Sequence, residues 1–171
     1  MKVYSVSLVL IICYCDQNDE YFIFQVAQIP EEWIDYAQVA CLVMALALCI
    51  LHFFKFRSNL KLALTLIAIT LALWSANIYF TCCNMHNNSE CYFLIGFITL
   101  EDLLTIIFCV LIKRLKKTVV TVLLSMSTAF LITGVVLFFV DRNNHLLSEL
   151  AGGFWNTSVA ILALLYASFL K

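Results

Sequence analysis

The fold class this sequence predicts is all-α: a polytopic transmembrane helix bundle with five long spans and a short amino-terminal hydrophobic segment. Three observations predict it. Of the 171 residues, 64% are apolar and 12% charged, against about 45–50% and about 25% in soluble domains. The mean hydropathy is +0.99. The apolar residues fall into long runs, each near the roughly 20 residues that cross a bilayer, with short polar breaks between them. This composition excludes an ordinary water-soluble enzyme domain, a disordered chain and a nucleic-acid-binding surface.

The amino end begins with Met1-Lys2 and continues in a 13-residue apolar run from Val3 to Cys15, which Asp16-Gln-Asn-Asp-Glu20 breaks. That length fits a signal-peptide core better than a span. No Ala-x-Ala precedes the break, so residues 1–15 are a signal peptide or a short sixth span, and the reading leans to cleavage. Residues 16–34 form an acidic segment outside the cytosol, and residues 35–171 form the bundle.

The long spans run from Asp35 to Phe54, Leu62 to Phe80, Tyr92 to Ile112, Thr118 to Val140 and Leu150 to Leu170. Each must be helical, because lipid cannot satisfy open backbone groups. Short loops make neighbours antiparallel. Lys2, Lys55, Arg57, Lys61, Lys113, Arg114, Lys116, Lys117 and Lys171 fall on one side, and only Arg142 on the other. Basic loops stay cytoplasmic, so Lys171 is expected in the cytosol. The net charge of −1 hides this asymmetry. Membrane lipids are the expected surroundings, and no nucleic-acid partner is expected.

Small residues recur every fourth position: Ala37, Cys41, Ala45 and Cys49; Ala68, Ala72 and Ala76; Ser125, Ala129 and Thr133, beside Gly134; Gly152, Asn156 and Ala160. Such stripes let helix backbones approach closely. Packing within the bundle is the first expectation and a homo-oligomer face the second. Ser75, Asn77, Asn156, Thr157 and Ser158 are polar at membrane depth and are expected to hydrogen-bond across helices.

Glu101 and Asp102 are the most informative residues. They stand midway between Tyr92 and Lys113, which at about 1.5 Å per residue is the bilayer midplane. A carboxylate there costs at least about 2.5–3.5 kcal/mol. Three readings stay open. Both groups can remain neutral and hydrogen-bond to Thr105, Asn77 or Asn156. They can pair with a basic group in a partner's membrane helix, since this chain has no Lys or Arg at that depth. They can carry protons or cations, although transport machinery usually shows repeated halves or helices broken by Gly and Pro, and Pro30 is the only proline.

Cys82, Cys83 and Cys91 lie on the oxidising side, which favours a disulfide between Cys91 and either Cys82 or Cys83. With His86 their spacing fits no standard zinc site, so no metal and no cofactor are expected. Asn87-Asn-Ser89 is a glycosylation sequon in the same segment. No catalytic constellation supports an enzyme.

Counting the amino-terminal segment, six hydrophobic segments alternate with an acidic first loop and basic second and fourth loops. The last helix is entered through His145-Leu-Leu-Ser148 and followed by Trp155 and Tyr166. This pattern resembles the Frag1/DRAM/Sfk1 group of six-span membrane proteins. The sequence departs from the group in three ways. Trp155 is displaced, Ile29-Pro30-Glu31 replaces a Pro-x-Ile-Ser element, and the chain is shorter. The resemblance implies a non-catalytic lysosomal, endosomal or plasma-membrane protein acting in autophagy, cell survival or membrane organisation. The function expected from the whole sequence is a non-enzymatic multi-pass protein acting through helix or lipid partners. The alternative is a small ion or proton channel or transporter subunit using Glu101 and Asp102.

Overall fold

The computed structural model describes residues 31–84, 88–140 and 145–171. Within them the chain forms five helices: α1 (Glu31–Phe53), α2 (Leu60–Asn84), α3 (Asn88–Leu111), α4 (Lys117–Val140) and α5 (His145–Phe169). No strand occurs among the described residues. Each helix covers an expected span. The largest extension is at the start of α5, which begins at His145 rather than Leu150; the start of α1, the end of α2 and the start of α3 also reach beyond the expected bounds, so α2 and α3 take in most of the break from Thr81 to Cys91.

Four segments of described residues are long and apolar enough to cross a membrane: Trp33–Phe53, Leu60–Asn77, Lys117–Val140 and Leu150–Phe169. The protein is an integral membrane protein built as a helical bundle. Large apolar side chains cover its outside, among them Val43, Met44, Ile69, Phe97, Ile132 and Phe139. Seven hydroxyl groups on these helices are satisfied locally. Thr65, Thr70, Ser75, Thr105, Thr121, Thr128 and Thr157 each donate to the carbonyl four residues earlier, which lets a hydroxyl enter lipid without a partner helix. Ser75 and Thr157 therefore bond within their own helices, in contrast to the cross-helix expectation.

The turn between α1 and α2 is built by specific caps. Phe56 N donates to Leu51 O at 3.0 Å and Lys55 N to His52 O at 3.0 Å, the paired bonds of a Schellman motif. Lys55 takes the left-handed position with φ of 63°, where glycine is the usual occupant. Asn59 Oδ1 accepts from Leu62 N at 3.1 Å and so caps the start of α2. His52 Nδ1 and Ser58 Oγ, 3.0 Å apart, join the two sides of the turn.

Helix α5 is the hub and touches each of the other four. Ala151, Trp155, Ser158, Leu162 and Leu165 are buried along it, at alternating steps of four and three. On α4 the buried face is Val120, Leu124, Ser127, Leu131, Gly134 and Phe138, with the same alternation. That spacing is the seam of knobs-into-holes packing. Ser125, Ala129 and Thr133, the stripe that spacing alone singled out on this helix, are exposed. On α1 the stripe does turn inward: Ala45 and Cys49 are fully buried.

Two glycines set how closely α5 approaches its neighbours. A Cβ at Gly134 would lie 2.5 Å from Cδ1 and Nε1 of Trp155, and one at Gly152 would overlap Cη2 of Trp74. Each indole lies over a position that only glycine leaves open. The Trp155 ring also packs against Phe138, with centroids 5.4 Å apart.

Helix α3 stands at the side of the bundle. It touches α5 and, more narrowly, α2. Lys171 Nζ donates to the carbonyls of Val110 and Ile112, placing a cation where the end of α3 leaves carbonyl oxygens unpaired. Ser168 Oγ accepts from Leu115 N at 2.8 Å, so α5 also secures the segment that links α3 to α4.

Candidate functional site: polar groups inside the bundle

Two groups of polar side chains stand out on the helices. The first is on α3. Glu101, Asp102, Thr105 and Cys109 are half-buried, while Leu100, Leu103, Leu104, Ile106, Ile107, Phe108 and Val110 are exposed. The acids therefore occupy the inner stripe of a helix whose described outer surface from Leu100 to Val110 is apolar. The structure does not join the residues grouped with them by sequence. The Thr105 hydroxyl donates to the backbone carbonyl of Glu101 at 2.9 Å, which leaves both carboxyl groups to other partners. Asn77 Nδ2 donates to Asp35 Oδ1 at 3.0 Å and so binds α2 to α1. Among the described residues no hydrogen bond or ion pair reaches the carboxyl group of Glu101 or Asp102.

The second group lies between α1, α2 and α5. The antiparallel register that opposes Asp35 to Asn77 also opposes Gln38 to Trp74 and Leu42 to Thr70. Gln38, Leu42, Thr70 and Trp74 line a cavity of about 10 Å³, bounded on the α5 side by Trp155, Asn156 and Val159. Gln38 is 3% exposed and Asn156 7%. Gln38 Nε2 and Oε1 and the indole nitrogen of Trp74 are buried, with no hydrogen-bond partner among the described residues. An unsatisfied buried polar group costs about 1–3 kcal/mol, so this cluster is a concentrated expense within an otherwise apolar bundle. The Trp155 indole nitrogen is buried and unpartnered as well, on the α4 side against Gly134.

Sequence reasoning identified Asn156 but not Gln38 or Trp74. The available signal was a lone amide one turn after Asp35 in an otherwise apolar run. It also named Ser158 without its partner. Ser158 and Ser127 are both fully buried, and their hydroxyl oxygens are 2.8 Å apart. That contact is the cross-helix bond expected of Ser158.

The side chains of Cys82, Cys83 and Cys91, the sequon residue Asn87 with His86, and residues 1–15 and 16–30 lie outside the described residues. Cys41, Cys49 and Cys109 carry free thiols. No group of three or more His, Cys, Asp or Glu side chains among the described residues is placed to hold a metal ion. Comparison with family models, curated proteins and solved structures gives no match.

Proposed function

We propose that this chain is a non-enzymatic, five- or six-span membrane protein that acts through a partner's membrane helix or through lipid, with α3 as the docking element. The observation that carries this reading is the half-buried Glu101–Asp102 pair on a helix otherwise clothed in exposed apolar side chains. Two carboxyl groups at that depth are costly, and a Lys or Arg on a partner helix would offset the cost. An apolar outer surface on α3 suits contact with lipid or with another helix. The charge asymmetry supports a cytosolic Lys171. The resemblance to the Frag1/DRAM/Sfk1 group supports an endolysosomal or plasma-membrane setting and a part in autophagy, cell survival or membrane organisation.

The test is purification of the tagged chain in mild detergent, comparing wild type with Glu101→Gln/Asp102→Asn and with Leu at both positions. The expected result is co-purification of a membrane protein carrying a basic residue within a span. Both variants should lose it, and flux across reconstituted vesicles should not change. Loss of a proton or cation flux in the Gln/Asn variant would replace this reading with conduction. Unchanged assembly and flux with Leu at both positions would defeat both.

A further inference from the structure

We propose that the cavity between α1, α2 and α5 is a binding site for one water molecule, which bridges Gln38, Trp74 and Asn156. The size of the cavity suits it. About 10 Å³ is close to the space that a single water needs, and too small for a lipid headgroup or a larger solute.

The chemistry of the wall also suits a single water. Gln38 brings two N–H donors and a carbonyl acceptor, Trp74 one N–H donor, and Asn156 a second amide. The Thr70 hydroxyl donates to Leu66 O at 2.8 Å, so toward the cavity it can only accept. A water molecule has two protons to give and two lone pairs to fill. It can accept from the Trp74 indole and one amide N–H, and donate to Gln38 Oε1 and Asn156 Oδ1. Buried waters typically make about three such bonds.

So does its charge. No carboxylate lines the cavity to attract a cation, and no Lys, Arg or His lines it to attract an anion. The donors and acceptors are mixed, as a neutral molecule that does both requires.

Position adds a consequence. The three bridging residues come from three helices, and α1 and α2 are sealed just above by the Asn77–Asp35 bond. The water therefore acts as a joint among three helices that make few other polar contacts there. Its exchange with bulk water should be slow.

Hydroxyl-radical footprinting of the full chain in lipid nanodiscs tests this. Radicals formed from a bound water label the side chains beside it. Trp155, 5% exposed, sits at the cavity, and Trp33, 67% exposed, serves as the bulk-accessible reference. The expected result is hydroxylation of the Trp155 ring despite burial. After a brief jump into ¹⁸O water, that label should keep ¹⁶O while Trp33 takes up ¹⁸O. Gln38→Leu should lower the cavity labelling at least threefold. No labelling at Trp155 in the wild type overturns the proposal. So does cavity label that acquires ¹⁸O as fast as Trp33, or one that a folded Gln38→Leu variant leaves unchanged. If Gln38→Leu does not fold, the wild-type isotope comparison decides alone.

Discussion

Ser127 and Ser158 clasp each other across the seam of α4 and α5. Their hydroxyl oxygens lie 2.8 Å apart, and Ser158 Oγ also donates to the Ser127 carbonyl oxygen at 3.0 Å. Ser127 Oγ also stands 3.4 Å from the Ser158 carbonyl oxygen, and the shorter of the two backbone contacts selects the proton arrangement. Ser158 gives its proton to the Ser127 carbonyl, and Ser127 gives its proton to Ser158 Oγ. Both residues are fully buried near the middle of their helices.

Replacing Ser158 with Ala should cost more than replacing Ser127, because Ser158 both donates to the backbone and accepts from the other hydroxyl. Interhelical bonds of this kind contribute about 0.6 kcal/mol on average, with a maximum near 1.7. Ser158→Ala should fall in the upper half of that range and Ser127→Ala in the lower half. Denaturation in mixed micelles, monitored by tryptophan fluorescence, measures the difference.

Gly152 and Gly153 are neighbours with opposite expectations. A methyl group at Gly152 overlaps the Trp74 ring, whereas one at Gly153 meets nothing within 4 Å. Gly152→Ala should destabilise by about 1–3 kcal/mol through overpacking. Gly153→Ala should stabilise by up to about 1 kcal/mol through helix propensity. Gly134→Ala should behave like Gly152→Ala, because it drives Trp155 from its seat. Thermal unfolding of the three variants in one detergent provides the check.

Lys55→Gly should raise stability. Lys55 occupies the left-handed position of the cap at φ of 63°, a conformation costing an L-residue about 1–2 kcal/mol and glycine nothing. The greater freedom of glycine in the unfolded chain takes back about 0.5–1 kcal/mol. A net gain of roughly 0.5–1 kcal/mol is expected, read as a higher midpoint of thermal unfolding. A lower midpoint would mean that the charge at Lys55 outweighs the backbone.

Ser168→Ala should loosen the link between α3 and α4. Ser168 is 1% exposed and accepts from Leu115 N. Without the hydroxyl that N–H loses its partner, at a cost of about 1–3 kcal/mol if no water replaces it. Backbone hydrogen exchange should accelerate at Leu115 and leave the α1–α2 turn unchanged.

The helices were legible in the sequence because length and polar breaks carry that signal. Lys55 to Asn59 and Lys113 to Lys116 interrupt apolar runs that lipid forces into helices. The inward faces were less legible. In water the buried face of a helix differs from the outer face in polarity. In lipid both are apolar, and only packing separates them. Counting small residues every four positions on α4 therefore selected Ser125, Ala129 and Thr133, which are exposed, while the true seam mixes Leu124 and Leu131 with Ser127 and Gly134. Asp35 and Asn77 were each readable as polar, but their bond depends on the register of two helices, which neither residue encodes alone.

The attachment of α3 separates the order of synthesis from the order of assembly. A chain threaded into a membrane from its amino end makes α1 and α2, which pack on each other directly, and then α3. Yet α3 rests chiefly on α5, and the contacts that secure its far end come from Ser168 and Lys171. Until the fifth helix joins the bundle, the third has only its narrow contact with α2 to hold it. Truncation before α5 should then leave α3 with little to hold it, although its own sequence is intact.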